Sequence, residues 1–131
     1  MAFDRRVFPA PDRFDPEYWR MCDAWWMVID GVKAGCCAFE KNTNLHIATT
    51  GILPKYQGRG LGSLMKAWQI AYARARGFDR LITHARKSNA GSIALNKKFG
   101  FRVIRTVEGY YVEPAEAGVV MRLDLKPRLL T

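Results

Sequence analysis

A glycine-rich segment, Gln57-Gly58-Arg59-Gly60-Leu61-Gly62-Ser63, contains the residue types that can hold an anion. It follows an apolar stretch that ends at Pro54 and precedes a run with helical periodicity. The first N–H groups of a helix have no intrahelical partner, and glycine has no Cβ to keep a phosphate away from them. Because the helix dipole also favours negative charge there, the segment predicts a phosphate-binding turn. A glycine turn without a ligand is the alternative interpretation.

Two common phosphate-binding motifs do not fit this segment. A Walker loop ends in Gly-Lys-Ser/Thr, and Gly62-Ser63 lacks the lysine. The dinucleotide fingerprint needs a third glycine where Ser63 stands and an acidic residue after the next strand, whereas Asp79 precedes that strand.

A third pattern does fit: Ile52-Leu53-Pro54 followed by Gln57-Gly58-Arg59-Gly60-Leu61-Gly62. It resembles the loop of the GNAT superfamily of N-acetyltransferases. A second segment, Ser88-Asn89-Ala90-Gly91-Ser92-Ile93-Ala94-Leu95-Asn96-Lys97-Lys98-Phe99-Gly100-Phe101, resembles the Asn-initiated helix of the same family, in the same order along the chain. The resemblance extends from about residue 24 to 125. Residues 1–23 are short compared with the usual start of the family, which leaves the wall of the acceptor site undefined.

The resemblance implies that acetyl-CoA binds as co-substrate without a metal. The loop would hold the pyrophosphate of coenzyme A, the preceding strand would contact the pantetheine arm, and the second helix would contribute further contacts. The expected cofactor-binding residues are Ile52, Leu53, Gln57, Gly58, Arg59, Gly60, Leu61, Gly62, Ser63, Asn89, Ser92, Asn96 and Lys98.

Acetyl transfer to an amine needs a neutral amine, a polarised carbonyl and a proton for the leaving thiolate. A lysine-like amine is neutral in fewer than about one molecule in a thousand at pH 7, so a general base helps. His46 is the only titratable side chain of the strand before the loop, at a position where some family members place that base, and a purely structural histidine is the alternative. His84 is the reserve candidate. Backbone N–H groups near Ile52 and Leu53 could polarise the carbonyl.

The general acid is less defined by the sequence. Many members of the family carry a tyrosine one residue after the helix leucine, but Asn96 follows Leu95 here. Asparagine cannot donate a proton and be regenerated as tyrosine can, so we expect Tyr110, Tyr111 or water to act. Aromatic packing is the alternative role for the two tyrosines.

Composition and charge exclude several other classes. The 131 residues carry 21 Lys+Arg against 12 Asp+Glu, a formal net charge of +9. Residues 54–105 hold twelve bases and one acid, Asp79, a balance of +11 that suits an anionic ligand. Nucleic acid is a possible but not a favoured partner. No apolar run approaches the roughly 18 residues of a membrane span, and charged residues 4–6 interrupt any secretory signal.

The metal-ligating residue types are scarce. Cys22, Cys36 and Cys37 are odd in number, two of them adjacent, which fits neither a disulfide framework nor a CxxC site. Two histidines cannot form an all-histidine site. We therefore expect no metal, and buried thiols in a soluble, cytoplasmic protein.

The elements that must position these residues are predicted as follows. A hairpin joins strands 25–29 and 34–39 through Asp30-Gly31, and a third strand runs from 44 or 45 to 53. Helix 61–75 turns Leu61, Leu64, Met65, Trp68, Ala71, Tyr72 and Ala75 to one face, with Lys66, Gln69, Arg74 and Arg76 between them. The helix is followed by a strand at 80–85, a helix at 89–99 and strands at 101–107 and 118–125. Near the start of the chain, Pro16 begins a short helical turn over residues 16–21.

This pattern predicts one α/β (α+β) domain over residues 1–131, with a short irregular segment 1–23 and a core at 24–125. The pattern indicates a mixed α/β sheet, and the resemblance implies a GNAT-type central sheet that is mostly antiparallel and flanked by helices.

The sequence thus favours an acyl-CoA-dependent N-acyltransferase, most simply an acetyltransferase, that acts by direct attack of a primary amine in a ternary complex. The amine could belong to a macromolecule, such as a protein or an aminoacyl-tRNA. A module that binds coenzyme A or nucleic acid without turnover is the rival class. The expected partners are acetyl-CoA and an amine acceptor, and the chain could form a homodimer. No motif identifies the acceptor.

Overall fold

The computed structural model describes residues 16–41 and 44–125. The secondary-structure elements, in chain order, are α1 (Pro16–Met21), β1 (Asp23–Ile29), β2 (Val32–Lys41), β3 (Leu45–Ile52), a short 3-10 turn (Pro54–Tyr56), α2 (Leu61–Ala75), β4 (Arg80–Arg86), α3 (Ala90–Lys98), β5 (Arg102–Tyr111) and β6 (Glu116–Asp124). The predicted helices and strands are all present, whereas residues 1–15 of the predicted irregular segment 1–23 lie outside the described residues. The last two strands are longer than predicted.

Six strands form one sheet in the order β1-β2-β3-β4-β6-β5. All neighbours are antiparallel except β3 and β4, which are joined by the crossover helix α2. A parallel pair needs such a crossover connection, and this one occupies the middle of the sheet. The mixed, mostly antiparallel sheet is therefore confirmed.

The β1–β2 hairpin turn is formed by two residues with positive φ, Asp30 (φ 49°) and Gly31 (φ 76°). Two consecutive residues in this region make the turn whose twist matches that of paired strands. At the other end of the hairpin, the Tyr72 hydroxyl on α2 donates a hydrogen bond to Asp23. Trp25 and Trp68 add a ring contact of 5.4 Å, so β1 and α2 are joined by aromatic packing.

The sheet is covered on both faces, as the adjacent cysteines of β2 show. Cys37 packs with Phe39, Ile47 and Met121 in the larger core, to which α2 contributes Met65. Cys36 belongs to a smaller cluster on the opposite face, with Ala34, Ala38, Leu53 and Tyr56. Neighbouring side chains of a strand point to opposite faces, so two buried cysteines in succession indicate a strand that is buried on both sides.

The buried face of α2 differs from the predicted one. Leu64 is 55% exposed, and the buried residues include the polar Lys66 and Gln69, at 5% and 0% exposure. The buried face of the helix is therefore rotated by about one residue from the predicted face. Gly62 faces Leu95 of α3, and Trp68 packs at the edge of the buried face against Trp25 and Phe39. Long side chains can occupy such a position because an apolar stem packs while the polar end reaches a cleft.

Candidate active site

Strands β3 and β4 are paired only at their beginnings. Their ladder consists of Leu45 with Leu81 and His46 with Ile82, although β3 continues to Ile52 and β4 to Arg86. Beyond His46 the edge of β3 that faces β4 is not part of a ladder between these two strands. The divergence opens a wedge in the sheet, and strand backbone groups along such a wedge can bind an extended ligand.

The glycine turn closes the wide end of this wedge. Gly58 (φ 79°) and Gly60 (φ 77°) adopt the left-handed conformation, and a Cβ at either one would meet no atom within 4 Å. The first intrahelical bond of α2 runs from the Leu64 N–H to the Gly60 carbonyl at 3.1 Å, so the preceding helical amides lie outside the helix ladder. The Gln57 side chain donates a hydrogen bond to the Ile52 carbonyl at 3.1 Å, which fastens the turn to β3.

A cleft of about 560 Å³ lies between this turn, β3 and the first turns of α3. Most of the predicted cofactor residues line it: Ile52, Gln57, Gly58, Gly60, Leu61, Gly62, Asn89, Ser92 and Asn96. The cleft thus combines residues from two motifs that lie about thirty positions apart in the sequence.

Four predicted cofactor residues do not line the cleft: Leu53, Arg59, Ser63 and Lys98. The Leu53 side chain is buried, and its N–H donates to the Ala34 carbonyl at 2.8 Å, so this amide is not free to polarise a substrate carbonyl. The Arg59 guanidinium lies over the Tyr56 ring, 5.5 Å from its centre. Lys98 is exposed on the last turn of α3.

Five residues of the cleft wall were not among the predicted contacts: Thr50, Tyr56, Lys66, Gly91 and Leu95. Lys66 is the most unusual, because burial lowers the pKa of its ammonium to about 8 and its Nζ lies 5.4 Å from the centre of the Phe101 ring. Thr50 accepts a hydrogen bond from the buried Gln69 at 2.7 Å. Of these five residues only Lys66 is on α2, and a correct assignment of the buried helix face would have pointed to it.

Asn89 and Asn96 lie towards opposite ends of α3, and their side chains have different surroundings. The Asn89 carboxamide oxygen accepts the Ser92 N–H at 3.1 Å, so Asn89 rather than Ser88 caps the helix. Asn96 is 2% exposed, and its amide group donates only a weak contact of 3.7 Å to the Met121 sulfur. Its carboxamide oxygen is buried without a hydrogen-bond partner in the structure. An unsatisfied carboxamide at the cleft wall is a natural contact for a bound polar ligand.

The two histidines lie side by side at the narrow end of the wedge. His46 Nε2 is 3.1 Å from His84 Nδ1, a hydrogen-bond distance between residues on β3 and β4. His46 belongs to the last β3–β4 pair, and His84 is two residues beyond its partner Ile82 on the same face. The predicted base and its reserve therefore form one unit.

Tyr110 and Tyr111 border this histidine pair. The centres of their rings lie 5.2 Å and 6.3 Å from the centre of the His84 ring, and 5.0 Å from each other. Consecutive residues of a regular strand point to opposite faces, but the pairing of β5 with β6 shifts between Val107 and Tyr111, where Gly109 has φ 67°. This irregularity allows both rings to reach the same place.

Burial keeps the histidine pair neutral. It lowers the pKa of His84 to about 4, and the nearby His46 adds to that effect. Burial also lowers the pKa of His46, which the Glu40 carboxylate partly offsets. Both imidazoles are consequently uncharged near pH 7, the state in which a ring nitrogen can accept a proton.

The loop between β4 and α3 is anchored by Glu116 of β6. Its carboxylate accepts the Ser88 N–H at 2.6 Å and lies 3.4 Å from the Arg86 guanidinium. The same guanidinium covers the Tyr111 ring at 4.4 Å. One carboxylate thus connects the start of α3, where the cleft is, to the tyrosines beside the histidine pair.

The described part of the chain meets the requirements of neither a metal site nor a membrane-spanning helix. Within residues 16–41 and 44–125, no group of three or more His, Cys, Asp or Glu side chains could hold a metal ion. No helix in these ranges has the length and apolar character that crossing a bilayer requires.

Solved structures of other proteins share this architecture. The ribosomal-protein-S18-alanine N-acetyltransferase from Escherichia coli superposes with a TM-score of 0.86 at 20% identity, covering 97% of this chain and 86% of that one. A GNAT family acetyltransferase from Elizabethkingia anophelis with acetyl-CoA bound gives 0.78 at 16% identity, over 83% of this chain and 80% of that one. These likenesses establish the fold.

Sequence comparison gives closer relatives. The chain is 37% identical over 97 residues to the probable N-acetyltransferase san of Drosophila melanogaster, which covers 70% of this chain and 53% of the fly protein. It is 35% identical over 97 residues to N-alpha-acetyltransferase 50 of Danio rerio, over 70% of this chain and 58% of the fish protein. The chain therefore spans little more than half the length of these relatives. The model of the acetyltransferase (GNAT) family matches residues 2–101, and the chain belongs to that family.

Proposed function

We propose that this chain transfers the acetyl group of acetyl-CoA to an amine, by direct attack of the amine within a ternary complex. The observation that carries the proposal is the divergence of β3 and β4: the His46–His84 pair lies where the two strands are last paired, outside the cleft wall, and β3 continues from there to the cleft and the glycine turn. A thioester on an extended arm, anchored by its pyrophosphate at the turn, fits such a site. The relatives named N-acetyltransferase, and the fold relative with acetyl-CoA bound, support the same activity.

The residues present fit acetyl-CoA. The open space at Gly58 and Gly60 and the amides before Leu64 suit the pyrophosphate, which carries the negative charge that a helix N-terminus favours. Asn89, Ser92 and Asn96 would contact the cofactor from α3, with the unsatisfied Asn96 oxygen as an acceptor for a donor on the pantetheine arm. Arg59 and Lys98 would supply longer-range attraction, because their side chains lie outside the cleft wall.

The histidine pair would act as the base. The amine nitrogen forms a bond to the thioester carbonyl carbon, the carbon–sulfur bond breaks with its electron pair going to sulfur, and the amine proton passes to the imidazole pair. The thiolate takes its proton from water or from Tyr110 or Tyr111, whose rings lie beside His84. Coenzyme A supplies the acyl group as an activated thioester, and the chain supplies position and proton transfer.

We propose an α-amine of a polypeptide as the acceptor. A base with the low pKa of His84 suits an amine that is already partly neutral: at pH 7 roughly a tenth of α-amines are neutral, against fewer than about one lysine in a thousand. The relative named N-alpha-acetyltransferase 50 supports this class. The reduced thiols of Cys22, Cys36 and Cys37 support a reducing compartment such as the cytoplasm. The homodimer is a separate proposal, which sedimentation equilibrium tests.

The experiment is thiol release from acetyl-CoA, measured with equal concentrations of several amines. The panel contains a peptide with a free N-terminus and no lysine, the same peptide with a blocked N-terminus and one lysine, a polyamine and an aminoacyl-tRNA. We expect turnover with the first peptide, and mass spectrometry should place the acetyl group on its N-terminus. Tight binding of coenzyme A without turnover on any amine would contradict the proposed activity. Turnover on lysine or aminoacyl-tRNA alone would contradict the acceptor class.

A further inference from the structure

Three polar side chains lie in a row across three neighbouring strands: Glu40 on β2, His46 on β3 and His84 on β4. Glu40 and His46 are register partners, so their side chains share one face of the sheet. The nearest carboxylate oxygen of Glu40 lies 3.8 Å from His46 Nδ1, and His46 Nε2 lies 3.1 Å from His84 Nδ1. Glu40 belongs to neither cofactor motif.

The contact between the two imidazoles restricts their tautomers. A neutral imidazole has one N–H donor and one acceptor nitrogen, so at 3.1 Å one ring must donate and the other accept. If His46 Nε2 donated, its Nδ1 lone pair would face the Glu40 carboxylate, and His84 would carry its proton on Nε2, where it could not act as a base. If His46 carries its proton on Nδ1, an N–H faces the carboxylate and Nε2 accepts from the Nδ1–H of His84. The second arrangement removes the repulsion between a lone pair and a negative charge.

We propose that Glu40 is a positioning residue for acetyl transfer: it selects the His46 tautomer protonated on Nδ1, and thereby makes Nε2 of His84 the atom that accepts the proton of the amine. This inference rests on the proposed function. In the transfer step the amine N–H bond breaks and a bond from hydrogen to His84 Nε2 forms. The charge that appears on His84 is stabilised by its hydrogen bond to His46 and, beyond it, by the Glu40 carboxylate.

The other charged and titratable groups around the pair are consistent with this arrangement. From β5, Tyr110 and Tyr111 approach His84 with their rings, and the guanidinium of Arg86 on β4 lies over Tyr111. Burial raises the pKa of Tyr110, and Glu40 raises it further while Arg105 lowers it, so the tyrosine is neutral near pH 7 and carries its hydroxyl proton. Within the described ranges, Glu40 is the carboxylate that lies within ion-pair distance of the histidine pair.

The decisive measurement is the ¹⁵N spectrum of the histidine side chains in the protein without ligands, because it reports directly which ring nitrogen carries each proton. In the unmodified chain we expect protonated Nδ1 and unprotonated Nε2 on both histidines. In Glu40→Leu we expect a substantial fraction with His84 protonated on Nε2. Glu40→Gln should lie between, since its amide oxygen still accepts from Nδ1–H, and Glu40→Asp should retain most of the original pattern. Asp30→Asn, which removes a negative charge in the hairpin turn before β2, is the control and should change nothing.

Kinetics supply a second readout. We expect Glu40→Leu to lower kcat about tenfold or more with little change in coenzyme A affinity. The acidic limb of kcat/KM, which reports the titration of the coupled histidine pair, should move to lower pH because the carboxylate that raises the pKa of His46 is lost. Identical imidazole spectra in Glu40→Leu and the unmodified chain, or Nε2 protonated on His84 in the unmodified chain, would overturn the proposal. If the spectra show the expected tautomers but no amine is acetylated, acetyl transfer is not the function. The selection of tautomers by Glu40 would still stand in that case.

Discussion

The ring of Tyr110 lies directly against the backbone of Gly118, and a Cβ at Gly118 would come within 2.7 Å of the Tyr110 Cγ atom. Gly118 is on β6, between the strand that carries Tyr110 and the strand that carries His84. The missing side chain at this position therefore provides the space through which Tyr110 crosses β6 to reach the histidine pair. The glycine is required for its size, because its φ lies outside the left-handed region.

We predict that Gly118→Ala displaces Tyr110 from His84. The substitution should reduce the free energy of unfolding by about 1–3 kcal/mol, a usual cost of overpacking, and should lower activity with the acceptor more than affinity for coenzyme A. Urea denaturation and steady-state kinetics measure the two effects. In a Tyr110→Ala background the same glycine change should have little effect, and a full additive cost there would show that the ring is not what the new methyl group meets.

We predict that a negative charge in the glycine turn weakens coenzyme A binding. Gly60→Asn and Gly60→Asp have nearly the same size, and both residue types tolerate the φ of 77° observed at Gly60 better than other side chains do. Gly60→Asp should bind coenzyme A at least about tenfold more weakly than Gly60→Asn by calorimetry, because the carboxylate would stand where the pyrophosphate is expected. Equal affinities in two folded variants would place the pyrophosphate elsewhere.

We predict that Lys66→Met stabilises the fold near neutral pH. Burial lowers the pKa of Lys66 to about 8, so the unfolded chain holds this proton more tightly than the folded chain. Protein stability therefore rises as the pH increases from about 8 to 10.4, and the buried ammonium costs up to about 3 kcal/mol at pH 7. Urea denaturation should show a gain of that order for Lys66→Met at pH 7 and a smaller one at pH 10.

The exposed Lys98→Met is the control for this gain, and it should shift stability little at either pH. Because Lys66 also lines the cleft, Lys66→Met should lose affinity for the anionic coenzyme A while it gains stability. A destabilised Lys66→Met protein at pH 7 would mean that the ammonium makes a stronger interaction than its contact with the Phe101 ring.

We predict that protonation of His84 lowers the stability of the folded chain in acid. The pKa of His84 is about 4 in the folded chain and near 6.5 in the unfolded chain, so the unfolded chain binds this proton more tightly. The contribution of neutral His84 to stability is therefore fully present above pH 6.5 and is lost as the pH falls towards 4. The loss should amount to roughly 3 kcal/mol and should be absent in His84→Asn, which keeps a polar side chain without titrating. Thermal unfolding at several pH values between 4 and 7 measures it. Parallel pH curves for the two proteins would show that another group titrates.

The sequence alone determined the features that depend on local conformation. The β1–β2 turn is encoded by Asp30 and Gly31, both of which adopt positive φ, and the turn before α2 is encoded by glycines that precede helix amides outside the helix ladder. The Asn89 cap of α3 is equally local, since the side chain bonds a backbone group three residues away. Short-range sterics and hydrogen bonds set these features, and they are visible in the order of residues.

Only the tertiary structure decided how the candidate site is assembled. His46 and His84 are 38 residues apart and meet because α2 returns the chain to a parallel position, and the wedge exists because β3 and β4 stop pairing after two residues. The buried face of α2, which includes Lys66, depends on how the helix packs against α3 and the β1–β2 hairpin. Periodicity places a stripe on a helix only to within about a residue, whereas packing against neighbouring elements selects which side of that stripe is buried.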